Sequence, residues 1–382
     1  MRTLLSRLSS KECGGGNDEL DEHGLAPIHY VTQLGDINKL KDLVASGCSV
    51  DIVSSELNGF TPPLVYAATN GHVDCVRLLL SAGAHVEAGD GWGNTALYKA
   101  CCYDHSDCVG ALLEAGADPS VANKCGSLPL QIAALQGYTR TLKLLLKHGA
   151  KLAVDERGLY GDVTLPPPLV SAATRGQLDC LRLLAHDAHS LHPAQLNASL
   201  TMALYYFLCA CAGYQHATAH ASLQQRTECV QLLVDIGAPV TIEHLKVVCC
   251  HLHIPLTNLK PYVSMLKTLL QASNFDASHQ PSNDAMMVLF GHVTRLGHYK
   301  WELLELICSV GFTPSEHLLE GLAFTLSEHE LRELERLRQS PRRLTDLCAL
   351  TMRSHVNTNV QHAVRHMELP QLIRNMILVN SC

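Results

Sequence analysis

Cys249, Cys250, His251 and His253 stand together and are the side chains best suited by type to hold a metal ion. Thiolates and imidazoles are ordinary zinc donors, but ligands this close strain a tetrahedral site, and no second pair follows at zinc-finger spacing. The group is therefore read as carrying no metal. Catalytic patterns are missing too: the sequence has no Gly-rich phosphate loop, no Gly-x-Ser-x-Gly elbow and no His-Glu-x-x-His pair. The expectation is a non-enzymatic protein without catalytic residues or cofactor, whose chemistry is that of binding. Trp92, in Asp90-Gly91-Trp92-Gly93-Asn94-Thr95, is the first candidate for a partner contact, because an exposed tryptophan anchors interfaces. Tyr66, Tyr98 and Tyr138 are weaker candidates of the same kind.

The elements that must position these residues are set by an internal repeat. Pro62-Pro63-Leu64-Val65-Tyr66-Ala67-Ala68-Thr69-Asn70-Gly71 returns as Pro167-Pro168-Leu169-Val170-Ser171-Ala172-Ala173-Thr174-Arg175-Gly176, and Asp74-Cys75-Val76-Arg77-Leu78-Leu79 returns as Asp179-Cys180-Leu181-Arg182-Leu183-Leu184. Asp107-Cys108-Val109 and Glu228-Cys229-Val230 mark further copies. Pro27, Pro63, Pro129 and Pro168 can open a helix at its first position, where no amide is needed. Gly35, Gly71, Gly137 and Gly176 permit a tight reversal, and Gly47, Gly83, Gly116, Gly149 and Gly237 can close the Leu-rich second helix. The period and pattern resemble ankyrin repeats, which implies an all-α solenoid of helix pairs with a finger at each junction. Copies are expected near 24–52, 59–88, 93–121, 126–153, 165–190 and 199–241. In that frame Trp92 lies at a fingertip, the three tyrosines near the first helices, and His29 and His72 at positions where ankyrin repeats use histidine structurally. Cys75, Cys108, Cys180 and Cys229 share one position and are read as core.

Composition agrees with a stack of closely spaced helices. Apolar residues make up 47% of the 382 and aromatics only 5%. A net charge of -7 gives no case for nucleic acid. No apolar run is long enough to span a membrane, and Met1 to Ser10 lacks the apolar core of a signal peptide. The sixteen cysteines are therefore expected to be reduced, and the location cytoplasmic, or also nuclear. Residues 1–23 read as an N-terminal tail, 24–241 as the repeats and 242–339 as divergent helical repeats with a capping helix. Leu318 to Arg338 is expected to be helical. Long junctions at Leu152 to Pro166 and His186 to Ser199, and an insertion at Gly213 to Arg226, interrupt the array.

Residues 340–382 form a module of their own. Ser340 can cap a helix that has Pro341 at its first position, and Leu344, Cys348 and Met352 then follow at four-residue intervals beside Leu347, making one apolar face. Leu372, Ile373, Met376 and Ile377 suggest a second amphipathic helix after Pro370. So small a unit buries little alone and needs a neighbour.

Leu344-x3-Cys348-x3-Met352, followed near the chain end by Leu369-Pro370-x2-Ile373-Arg374, resembles the SOCS box of cullin-RING ubiquitin ligase receptors. With the repeats, it makes the whole chain similar to the ankyrin repeat and SOCS box family. The resemblance implies a substrate-recognition subunit that binds an unidentified protein substrate through its repeats, with no membrane or nucleic-acid partner. It implies that Leu344, Leu347, Cys348 and Met352 meet elongin C, which brings elongin B, and that Leu369, Pro370 and Ile373 meet cullin 5 with its RING protein. Glu368 departs from the family, standing where its first proline is usual. The competing class is an ankyrin scaffold with no ligase link, its tail only a cap.

Overall fold

A computed structural model describes residues 18–151, 167–186, 193–211, 222–241, 259–273, 299–309 and 326–339, with a few isolated positions between 244 and 320. Among the described residues the secondary structure is helical, apart from an isolated bridge between Gly89 and Thr95. The Cα trace divides into two compact units, residues 1–171 and 172–382.

In the first unit four helix pairs follow one plan: α1 (Pro27–Leu34) with α2 (Ile37–Ala45), α3 (Pro63–Thr69) with α4 (Val73–Ser81), α5 (Ala96–Cys102) with α6 (Ser106–Glu114), and α7 (Pro129–Gln136) with α8 (Thr139–Lys147). First helices pack on first helices and second on second, as a stack requires. Proline opens α1, α3 and α7 as expected. The core lies between the helix layers: Leu40, Leu64, Leu79, Leu97, Leu112 and Leu142 are wholly buried. Truncating any of them to alanine would cost about 2–5 kcal/mol.

The first helix of a repeat needs its free amides capped, and side chains three residues in do this. His29 Nδ1 accepts from the Ala26 amide at 2.9 Å, while its Nε2 lies 2.9 Å from Ile52 O, which fixes the tautomer with the proton on Nε2. Gln131 Oε1 accepts from the Leu128 amide at 2.8 Å in the same place, and the Thr95 hydroxyl accepts from the Tyr98 amide. Burial pushes the His29 pKa below its ordinary 6.5, although its backbone hydrogen bonds and Asp21 act the other way. The neutral ring therefore stabilises the fold fully above about pH 6.5, and this contribution is lost as pH falls from there toward the lowered folded value. His29→Gln, which copies the fourth repeat, is expected to remove that component of the stability–pH slope in denaturation measured from pH 7.5 to 5.

Successive repeats are tied by a second histidine column. His72 Nε2 donates to Gln33 O and His105 Nε2 to Thr69 O, each at 3.1 Å, satisfying carbonyls at the end of the preceding first helix. Their rings lie against Gly35 and Gly71, whose φ values are 74° and 77°. On the outer layer, Arg140 pairs with Asp107 at 2.7 Å and Arg77 with Glu114 at 3.7 Å. These pairs are well exposed and contribute little.

In the second unit, α10 (Leu178–His186) follows α9 (Pro168–Arg175), whose first residues lie in the first unit. α10 and α11 (Pro193–Cys211) both pack on α12 (Leu223–Ile236). The chain continues through α13 (Leu259–Ala272), α14 (Lys300–Ser309) and α15 (Glu328–Gln339), each packed on its predecessor. Three sequence expectations shift here. α11 starts at Pro193, so part of the stretch read as a junction is helix. α12 starts at Leu223, because Ser222 and Gln225 cap it reciprocally at 3.2 and 2.8 Å, which takes residues 223–226 out of the expected insertion. Leu319 and Glu320 are helical as expected, but Leu326 and Ser327 are not, and α15 begins at Glu328, where Ser327 accepts from the Glu330 amide. Beyond Val240, Thr241 and His244 repeat the capping device of the first helix: the Thr241 amide donates to His244 Nδ1 at 3.0 Å. The repeat chemistry therefore continues where the sequence pattern fades.

Candidate functional site: the fingertips of the first repeats

The first, third and fourth fingers are each built around one polar side chain. Asp21 Oδ1 accepts from the His23 and Leu25 amides, Asp90 Oδ1 from those of Trp92 and Asn94, and Asn123 Oδ1 from those of Cys125 and Ser127. In each case the acceptor bonds amides two and four residues ahead, folding the intervening residues into a tip that ends on Gly24, Gly93 or Gly126 at positive φ. Asp90 also receives the Asn94 side chain at 2.9 Å and the Lys99 ammonium at 3.2 Å. Burial alone would raise the Asp90 pKa, but these bonds outweigh it and hold the carboxyl below the usual carboxylate range.

The tips are joined to one another by the backbone. The Ser55 amide donates to Gly24 O at 2.8 Å, Gly91 to Gly59 O at 2.6 Å and Lys124 to Trp92 O at 2.9 Å. Asn58 Nδ2 adds a bond to His23 O at 2.6 Å, and Asn123 Nδ2 a buried one to Asn94 Oδ1 at 2.9 Å. The result is a continuous, preorganised edge.

Trp92 lies on this edge with 67% of its surface exposed. The adjoining second finger exposes two residues that the sequence did not single out, Leu57 at 88% and Phe60 at 48% exposure. They come from a longer second finger: Gly47 to Pro63 has three residues more than Gly83 to Ala96. The extra residues form a 3-10 turn, Glu56–Asn58, with Phe60 at φ 51°. A Cβ on Gly91 would lie 3.5 Å from the Phe60 ring, so the second and third tips meet at this glycine. The length difference was the available signal.

The tyrosines are placed differently. Tyr66 is half-buried on α3, edge-on to His29 with centroids 5.6 Å apart. Tyr98 on α5 donates its hydroxyl to Ser127 Oγ at 3.2 Å. Tyr138 is the cap residue of α8, at the helix–helix turn where His72 and His105 stand in earlier repeats, and not on a first helix. Tyr66 and Tyr98 are engaged within the array and Tyr138 is half-buried, so of the four candidates Trp92 alone offers most of its ring to solvent. Leu344, Leu347, Cys348, Met352, Leu369, Pro370 and Ile373 lie outside the described residues, as do Cys249, Cys250, His251 and His253.

Thiol chemistry has no place in the core of the array. Cys75, Cys108 and Cys180 are each buried at the third position of their helices, and Cys229 is buried at the seventh of the longer α12. Burial pushes the thiols of Cys75 and Cys108 up to about 11 and that of Cys229 to about 12, so they remain protonated.

The family model for ankyrin repeats, in three copies, matches residues 28–123 and 115–195. Residues 28–195 are thus ankyrin repeats, a protein-interaction module. A stretch of 82 residues is 40% identical to human ankyrin repeat and SOCS box protein 18, covering 22% of this chain and 17% of that protein. A stretch of 92 residues is 36% identical to human SH3 and multiple ankyrin repeat domains protein 1, covering 22% of this chain and 4% of that protein. Among solved structures, the ankyrin repeat domain of human ASB11 aligns over 56% of this chain and 86% of its own, with 25% identity and a TM-score of 0.42. No helix among the described residues is long and apolar enough to cross a membrane.

Proposed function

We propose that this protein is the substrate-recognition subunit of an elongin B/C cullin-RING ubiquitin ligase, in which the fingertip edge receives the target and residues 340–382 recruit the ligase. The observation that carries the reading is the tail motif: Leu344-x3-Cys348-x3-Met352 and Leu369-Pro370-x2-Ile373 stand in SOCS-box order behind an ankyrin array. The 40% identity to a protein named for both modules supports it. Leu344, Leu347, Cys348 and Met352 present one apolar helical face to elongin C, and Leu369, Pro370 and Ile373 engage cullin 5 with its RING partner. The chain contributes no catalytic group. It raises the effective concentration of a substrate lysine near the charged enzyme. Its place of action is the cytoplasm, or the nucleus as well.

Leu344→Asp places a charge where a leucine worth about 1.5–3 kcal/mol would be buried. Elongins B and C are expected to co-purify with the wild-type chain and to be absent with Leu344→Asp, while circular dichroism of the two proteins is unchanged. Equal recovery of elongins with both proteins would remove the tail from the mechanism. A scaffold with no ligase link is the alternative reading, and the similarity to an SH3 and multiple ankyrin repeat protein favours it; that reading predicts no elongin with either protein.

A further inference from the structure

The first three fingers carry acidic residues and no lysine or arginine, and the first basic fingertip residue is Lys124 of the fourth. Residues 12–38 and 42–76 contain no lysine or arginine, yet Glu19, Glu22 and Glu56 lie exposed on those fingers. These carboxylates flank an apolar centre. His23, beside Glu22, is bonded through its carbonyl to Asn58, one residue from Leu57, and Glu56 opens the turn that displays Leu57. Gly59 is bonded to Gly91, which places Phe60 next to Trp92 on the adjoining tip. Leu57, Phe60 and Trp92 thus lie exposed on adjoining tips with an acidic rim on the side of the first two fingers, while the Lys124 ammonium on the other side is engaged by Gly91 O at 2.6 Å, and backbone bonds between the tips leave little to be ordered on binding.

We propose that these tips present a docking strip for a protein segment that carries an aromatic or large aliphatic side chain next to lysine or arginine. The apolar side chain covers Leu57, Phe60 and Trp92, and the basic residues meet Glu22 and Glu56. An acidic segment is disfavoured because it would bring like charges to the rim. The inference rests on the fingertips being the partner-binding edge, but not on recruitment of elongin by the tail, and it names the class of target.

The test selects a random 12-residue display library on the full-length protein and measures the enriched peptides by fluorescence anisotropy against variants. Phe60→Asn removes the ring while keeping a residue that accepts positive φ, and Leu57→Ser and Trp92→Ala change side chains that are mostly in solvent. The expected peptides pair Lys or Arg with Leu, Phe or Trp. Their affinity should fall at least tenfold with Phe60→Asn or with the double change Glu22→Lys and Glu56→Lys, and should weaken as salt is raised from 50 to 300 mM. Peptides that lose affinity with Phe60→Asn but not with the charge reversals would overturn the basic class while leaving the fingertip edge standing. Peptides insensitive to Phe60→Asn, Leu57→Ser and Trp92→Ala alike would overturn the fingertip edge itself. A chain starting at residue 18 that binds the same peptides tenfold more tightly than the full chain would assign the strip to the protein's own N-terminal residues, among them Arg2, Leu4, Leu5 and Arg7, and overturn an external partner as its occupant.

Discussion

Gly71→Ala is expected to destabilise the array by about 2–3 kcal/mol, from left-handed backbone strain together with the loss of one inter-repeat hydrogen bond. Gly71 has φ 77°, and an added Cβ would lie 2.6 Å from Nδ1 of the His105 ring. The ring cannot yield without giving up its bond to Thr69 O. Gly83→Ala supplies the control. Its φ is 89°, but nothing lies within 4 Å of the added carbon. It should cost only the backbone term, about 1–2 kcal/mol. Urea denaturation of both variants separates the two effects. Equal losses would show that His105 moves without penalty and that the histidine column does not couple repeats.

Asp90→Ala is the second large effect, at about 1–3 kcal/mol, because several partly buried donors lose their acceptor at once. The Asp90 side chain is only 7% exposed and serves the Trp92 amide, the Asn94 amide and side chain, and Lys99. Asp90→Asn should recover most of the loss, since Asn123 holds the next finger with the same two amide bonds. The pH dependence has a definite sign. The folded pKa of Asp90 lies below the ordinary 3.8, so its contribution is fully present above that value and is lost as pH falls through the lowered one. Acid titration of stability should show this component in the wild type and not in Asp90→Asn. Weakened fingertip binding by Asp90→Ala with Trp92 still present would establish that the turn, and not the ring alone, makes the edge.

The helix pairs were legible because their chemistry is local. Proline at the first helical position, glycine at the reversal and the recurring cysteine of the second helix each mark one place in the repeat, and Pro63, Gly71 and Cys75 occupy those places in the structure, although Ile37–Ala45 and Thr139–Lys147 carry no cysteine. Asp104 shows the limit of that rule: it takes φ 56° where the other repeats have glycine, and its carboxylate accepts from Thr141. Tyr138 was attached to a first helix by proximity in sequence, whereas counting from Gly137 puts it in the column of His72 and His105. Ser222 and Gln225 carried a readable capping pattern for α12. The strip at Leu57 and Phe60 was not readable as a surface. Leucine and phenylalanine ordinarily turn inward, and their exposure here depends on a 3-10 turn and a positive φ that only the neighbouring fingertips fix.

The central claim is that this ankyrin array delivers its partner to a ligase through residues 340–382. Titration of the purified full-length chain with purified elongin B–C heterodimer, followed by calorimetry, tests it most directly. The account predicts a one-to-one complex with a submicromolar Kd, abolished by Leu344→Asp and unchanged by Trp92→Ala. No heat of binding from a folded chain would contradict it and leave an ankyrin interaction domain without a ligase.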